Sequence, residues 1–252
     1  MPFTLSHPAA ALPIWPLVRR GVIPLAPFAI GAMAPDFEYL IRLEPLSLIS
    51  HTARGLVVFC LPVALASWLL WELLLREAGR DLVALPAVGA RPRRPVEWGT
   101  GVVALFIGSV SHVTWDAFTH RYTWVADRWP LLRETAFTIG SQDVPWFNVF
   151  QHASTVTGGV IVMAWLAREV RAGGGPLSAL LSPHRRRTWA ALGAMAILLG
   201  LWNAPRRGQI VHPRRTPVVA GRFVVGAMDG MAVAFVALAA RRRWTGGARP
   251  RT

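Results

Sequence analysis

The chain has 252 residues, 53% of them hydrophobic and only 16% charged, with a mean hydropathy of +0.39; this composition excludes an ordinary soluble domain and reads as an integral membrane protein. Its 27 basic residues, all arginine, outnumber 13 acidic ones and give a formal charge of +14. The arginines fall in short clusters between apolar runs, where they anchor helices to lipid head groups, and this pattern argues against nucleic acid as a partner. Cys60 is the one cysteine, so there is no intramolecular disulfide and no cysteine metal finger. Any metal must be held by His, Asp or Glu.

In chain order, the N-terminus lacks the basic start of a signal peptide, and prolines at 2, 8, 13 and 16 break any long helix there. The segment is expected to be retained and mobile. Gly21 to Ile41 is apolar but carries Pro24, Pro27, Pro35, Asp36 and Glu38, and reads as a broken, re-entrant or interfacial helix. Five clearer spans follow: Leu56 to Leu75, Trp98 to Phe118, Ala153 to Ala167, Trp189 to Trp202 and Phe223 to Ala240. The third and fourth are short for a bilayer and are expected to extend into their flanks. Glu72, inside the first span, is placed to pair with Arg76 one turn on. The expectation is an all-α polytopic helical bundle with no sheet. Residues 1–170 form a membrane domain carrying the polar cluster, 171–240 add two further helices, and 241–252 form a disordered basic tail.

With five spans, the arginines divide 15 to 12 between the two sides of the membrane, which weakly places the loops after the first, third and fifth spans in the cytoplasm. If Gly21 to Ile41 also spans, the split becomes 17 to 10. The five-span reading puts the polar cluster on the outer face of a bacterial inner membrane.

Polar residues gather where the span ends converge. His51 precedes the first span, His112 and Asp116 lie in the last turns of the second, and His152 precedes the third. A chain running down, up and down brings these ends to one face, and Asp36 and Glu38 enter it from the preceding segment. His112, Asp116 and His120 are spaced i, i+4, i+8, so on a helix they drift about 40° per step and share one side. An imidazole and a carboxylate one turn apart can hold one divalent ion, although a His–Asp hydrogen bond explains many such pairs. Context favours function, since ionisable residues at membrane depth are costly. Asp36 has the alternative of capping the helix after Pro35, His51-Thr52 of capping the first span, and His152 of sitting in water at the interface. His184 and His212 lie in Arg/Pro loops and are set aside. Asp229 is a deep acid in the fifth span, either paired across helices or part of a proton path. The sequence lacks His-Glu-x-x-His, a Gly-x-Ser-x-Gly elbow and a phosphate-cradling glycine loop, which argues against serine and nucleotide chemistry.

These same residues carry a resemblance. Met1-Pro2-Phe3-Thr4-Leu5-Ser6-His7-Pro8, Gly31-Ala32-Met33-Ala34-Pro35-Asp36-Phe37-Glu38-Tyr39, His51-Thr52 with Gly55, Ser111-His112 with Trp115-Asp116 and Thr119-His120, and Gln151-His152-Ala153-Ser154 resemble the bacterial membrane proteins called domain of unknown function 4184. The likeness spans residues 1–165, with no matching motif in the last third. More remotely, the Pro-Asp, His-Thr and Ser-His-x-x-x-Asp elements look like those of membrane-bound metal-dependent hydrolases and zinc-dependent phospholipase C. That implies a helical metal site acting on phosphoester bonds.

Two readings follow. In the first, a membrane-embedded metal-dependent hydrolase, His7, Asp36, His51, His112, Asp116, His120 and His152 supply ligands for one or two divalent ions, zinc fitting nitrogen-rich ligands best. The metal would bring a water's pKa to roughly 7 and polarise a phosphoryl oxygen. Glu38 or Asp36 is the general base, and the substrate is a lipid or lipid-linked phosphoester at head-group level. In the second, a non-enzymatic protein or transporter uses the His/Asp cluster as a proton or metal pathway, with Asp229 in mid-membrane.

Overall fold

The computed structural model describes residues 4–83, 92–173, 176–206 and 215–246. It is helical almost throughout: α1 (Trp15–Arg19), α2 (Leu25–Met33), α3 (Phe37–Arg42), α4 (Ala53–Leu82), α5 (Pro95–Thr119), α6 (Trp124–Arg128), α7 (Trp146–Ala172), α8 (Pro183–Asn203) and α9 (Arg215–Gly246). A 3₁₀ segment, Thr4–Ala11, precedes α1, and another, Ala34–Asp36, joins α2 to α3.

Among the described residues, four helices are long and apolar enough to cross a membrane: Ala53–Leu82, Pro95–Thr119, Trp146–Ala172 and the Val218–Thr245 part of α9. Their outward faces expose Val57, Val58, Leu73, Val156, Val160, Met163, Val224 and Val233. In water this much apolar surface would be an aggregation hazard, whereas in lipid it is the required solvent-facing side. The chain is an integral membrane helical protein.

Among the described residues four helices, against the five spans expected, have the length and apolarity of a crossing. The run Trp189 to Trp202 does lie in a helix, α8, but that helix opens on His184 and Arg185 to Arg187, and its apolar part is short for a crossing. The short run Ala153 to Ala167 extends into its flanks as α7, and Glu72 pairs with Arg76 at 2.6 Å, both nearly buried. Residues 21–41 are broken as expected, at Ala34–Asp36, because Pro35 interrupts the hydrogen-bond ladder. The expected absence of any sheet is corrected. A small antiparallel hairpin, β1 (Thr135–Ile139) and β2 (Gln142–Pro145), lies between α6 and α7, with Gly140 supplying the positive φ of 60° its tight turn needs. The hairpin lies outside the crossing helices, so its open edges do not meet hydrocarbon. The expected disordered tail is also corrected: α9 continues through Arg241, Arg242, Arg243 and Trp244, where cations suit the negative end of a helix. Residues 247–252 and His212 lie outside the described residues.

The chain forms two compact units. The first comprises Met1–Asp36, Ile49–Ala66 and Pro92–Trp165. Its core holds Ala11, Ile23, Phe28, Ala32 and Ala104, and a second cluster of Ala117, Val125, Ala126 and Leu132 seats α6 on the end of α5. The second unit comprises Phe37–Leu48, Ser67–Arg91 and Leu166–Thr252. There α8 and α9 lie side by side through small residues: a Cβ on Gly226 would meet the Leu199 carbonyl at 2.5 Å and one on Gly230 the Met195 carbonyl at 2.4 Å. Asn203, 1% exposed, closes this pair by donating through Nδ2 to the Leu43 carbonyl (2.9 Å) and the Arg222 carbonyl (2.8 Å). Asn203→Leu removes both donors without removing bulk, and is expected to cost about 1–3 kcal/mol, read as a lower unfolding midpoint in detergent. An unchanged midpoint would refute the bridging role.

Candidate metal centre

The cluster is built inside the first unit by one close helix contact. Gly31 on α2 and Gly108 on α5 remove side chains where the backbones meet: a Cβ on Gly31 would stand 2.1 Å from the Leu105 carbonyl oxygen, and one on Gly108 2.3 Å from that of Phe28. Ser109 Oγ, fully buried, donates to the Gly31 carbonyl at 3.0 Å and fixes the register. That register brings the Ala32 carbonyl oxygen to 2.7 Å from His112 Nδ1. A carbonyl can only accept, so Nδ1 carries a hydrogen and Nε2 faces inward, the orientation of a metal-ligating histidine.

His112 Nε2 then lies 3.4 Å from both Asp36 Oδ1 and Asp116 Oδ2. Asp36 ends the 3₁₀ turn after α2; its Oδ2 accepts a 2.6 Å hydrogen bond from the Thr4 hydroxyl, which leaves Oδ1 aimed at His112. Capping is therefore not what buries Asp36. Burial works against its ionised form, but the His112 imidazole outweighs it and holds the carboxyl below its ordinary range. His51 enters from the loop before α4, with Nε2 3.2 Å from Asp116 Oδ2 and 3.9 Å from Asp36 Oδ1. Ser50 Oγ contacts its Nδ1 at 2.9 Å and orients the ring. The helix cap belongs to the neighbouring Thr52, whose Oγ1 accepts from the Gly55 amide at 2.9 Å.

One ligand atom from each of Asp36, His51, His112 and Asp116 lies within 4.8 Å of the others, so this buried Asp/His/His/Asp group can hold a metal ion. The environment fits that reading. Asp36 Oδ1, His112 Nε2, both Asp116 carboxylate oxygens and His7 Nε2 are buried and have no hydrogen-bond partner among the described residues. Buried polar atoms are seldom left so, and a cation between the two carboxylates would satisfy them.

His7 and His120 flank the group. His7 stacks on His112 with ring centroids 3.6 Å apart, and its Nε2 is 3.6 Å from Asp116 Oδ1. Instead of being mobile, this N-terminal segment is held by the Ser6 hydroxyl, which donates to the Thr155 carbonyl at 2.9 Å. Burial, then the neighbouring His112, pushes the His7 imidazole down to about 4, so it stays neutral. His120 reaches the site for a different reason from its helical spacing: it is the C-cap of α5, with extended φ and ψ of −127° and 150°. From there its Nδ1 still lies 3.7 Å from Asp116 Oδ2, and burial lowers its pKa too.

Two expected residues have other surroundings. His152 is exposed on α7 and is not among the four grouped side chains. Glu38 is 2% exposed, and its Oε1 accepts from Arg42 Nε at 2.8 Å and the Leu48 amide at 3.0 Å, contacts that account for its burial. Sequence reasoning missed the supporting residues Thr4, Ser50, Ser109 and the Ala32 carbonyl. Only Thr4 and Ala32 lie in stretches that drew attention, and a backbone carbonyl leaves no residue-type signal.

Fold and site thus define a helical membrane protein with a buried His/Asp centre suited to a metal ion. The chain belongs to the family described as Domain of unknown function (DUF4184), whose profile matches residues 1–240 and so reaches well past the motifs that end near residue 165. No curated protein and no solved structure matches the chain.

Proposed function

We propose that the protein is a metal-dependent hydrolase acting on a phosphoester of a lipid or lipid-linked substrate at head-group level. The observation that carries this reading is the convergence of ligand atoms from Asp36, His51, His112 and Asp116, with Asp36 Oδ1, His112 Nε2 and both Asp116 oxygens buried. These four would hold a divalent ion, with zinc the best match to paired imidazoles and carboxylates. When bound, such an ion makes water acidic near neutral pH and polarises the ester oxygen. The remaining chemistry belongs to the chain. Asp36 is the better base of the two carboxylates, since Glu38 Oε1 is engaged by Arg42 and Leu48. Thr4 steadies Asp36 through Oδ2, which leaves Oδ1 facing the centre. Neutral His7 offers Nε2 beside Asp116 Oδ1 as a second acceptor, and His120 completes the wall. His152, exposed, would act at most on the approaching substrate. The arginine bias, 15 to 12 with five spans, supports a site on the outer face of a bacterial inner membrane.

A proton or ion pathway is the second reading. What favours it is Asp229, near the middle of a crossing helix, with Oδ2 buried and without a hydrogen-bond partner among the described residues.

The deciding experiment is metal analysis of detergent-purified protein beside His112→Ala, with release of labelled head group from phosphatidyl and polyprenyl phosphate substrates measured in parallel. The hydrolase reading expects bound metal in the wild type, its loss in the variant, and head-group release that a chelator stops and added metal restores. Metal without head-group release from any phosphoester would sink the hydrolase and leave a metal-binding protein.

A further inference from the structure

The second unit carries a charge imbalance that the metal centre does not use. Asp81, the penultimate residue of α4, meets two guanidinium groups and an imidazole from two other helices. Arg185 Nη2 lies 3.5 Å from its Oδ1, His184 Nε2 lies 3.6 Å from its Oδ2, and Arg242 Nη1 donates to Oδ2. Arg242 Nη2 also reaches His184 Nε2 at 2.7 Å. These contacts put the end of α4, the first turn of α8 and the last turns of α9 at one level. Within a turn of that level the sequence has seven arginines (Arg80, Arg185, Arg186, Arg187, Arg241, Arg242 and Arg243) against two acids, Glu77 and Asp81. The α8 N-terminus worsens the excess, since it is the positive end of a helix and has no acid in its first turn. Arg186, Arg187 and Arg241 are exposed. One carboxylate shared between two guanidinium groups leaves most of the cluster's charge unneutralised, and an anion would complete it.

The location says which anion. The cluster caps two crossing helices, Ala53–Leu82 and Val218–Thr245, so it lies at head-group depth. Arg243 Nη1 donates to the Leu73 carbonyl, next to a leucine side chain 64% exposed on the lipid-facing surface, and Trp244 beside it is 87% exposed. Guanidinium groups above an apolar flank, with an aromatic ring at the boundary, complement a phosphate ester carrying acyl chains.

We infer that the ends of α4, α8 and α9 form a binding site for the head group of an anionic phospholipid, independent of the metal centre. Asp81 acts as the organiser that holds Arg185, His184 and Arg242 together, while Arg186, Arg187 and Arg241 supply the surplus charge.

The test uses the full chain in nanodiscs and in detergent, titrated with phosphatidylglycerol, phosphatidylcholine or inorganic phosphate and read by native mass spectrometry and unfolding temperature. Phosphatidylglycerol is expected to bind and stabilise, phosphatidylcholine to do neither, and excess inorganic phosphate not to displace the lipid. The variant R186Q/R187Q/R241Q leaves the Asp81 contacts in place. At about five-fold per arginine, it should lose about a hundred-fold of the anionic preference at low salt. Equal binding of the two lipids, full displacement by inorganic phosphate, or an undiminished preference in the triple variant would each overturn the site. If the triple variant fails to fold, R186Q and R241Q singly, each with about a five-fold loss, decide the matter in the same way.

Discussion

Asp116→Asn is expected to strip the protein of bound metal while leaving it folded, and Asp229→Asn to leave the metal content at the wild-type level. Asp116 is the hub of the centre: one or other of its carboxylate oxygens lies within 3.7 Å of a ring nitrogen of each of His7, His51, His112 and His120. Asparagine keeps the volume and one oxygen but removes the charge that balances the cation. Losing an outer-shell partner already costs about 10–100-fold in metal affinity, so loss of a charged inner ligand should exceed about 100-fold. The fold should survive, because α5 is held by the Gly31 and Gly108 contacts and by Ser109, none of which involves Asp116. Asp229 lies outside the four-residue group. Metal analysis with circular dichroism and gel filtration on both variants separates the readings. Retained metal in Asp116→Asn removes the centre, and loss of ion flux in Asp229→Asn with metal intact would favour a pathway.

How much of this was legible in the sequence follows from the range over which each signal acts. Hydrophobic runs gave the crossing helices, because a bilayer imposes length and apolarity locally. They overcounted by one at Trp189 to Trp202, where the length of the apolar run, and not the helix, is what falls short. The convergence of Asp36, His51, His112 and Asp116 was readable because span ends alternate between faces, and a residue at the right end needs no tertiary knowledge to be placed. His120 arrived by a backbone departure at the helix C-cap that spacing does not encode. His7 arrived through Ser6 and Thr155, a contact across most of the first unit, so the prolines around it looked like mobility. The hairpin was missed because Gly140-Ser141 is a weak turn signal among aromatic residues that also suit an interface. The arginines of α9 looked like a tail because their partner, Asp81, is remote in sequence.

Gly108→Ala is expected to empty the metal centre without altering any ligand, and Gly99→Ala, on the same helix, to leave it full. A Cβ at position 108 would meet the Phe28 carbonyl oxygen at 2.3 Å and the Ala32 amide nitrogen at 2.7 Å, both backbone atoms that no rotamer change can move aside. Ordinary contact lies near 3.5 Å, so α2 and α5 must separate by about 1 Å. That shift costs about 1–3 kcal/mol as overpacking, visible as a lower unfolding temperature. The larger effect is on the site. The displaced neighbour, Ala32, is the residue whose carbonyl receives the His112 Nδ1 hydrogen at 2.7 Å, and Asp36 follows four residues later on the same segment. Separation therefore frees the His112 ring to turn and carries the Asp36 carboxylate away from it, disturbing two of the four ligands at once. At Gly99 an added Cβ meets nothing within 4 Å, so alanine should leave metal content intact and strengthen the helix by about 0.5–1 kcal/mol. Full metal occupancy in Gly108→Ala, measured on protein whose unfolding temperature has dropped, would show that the helix contact supports the fold but does not set the geometry of the centre.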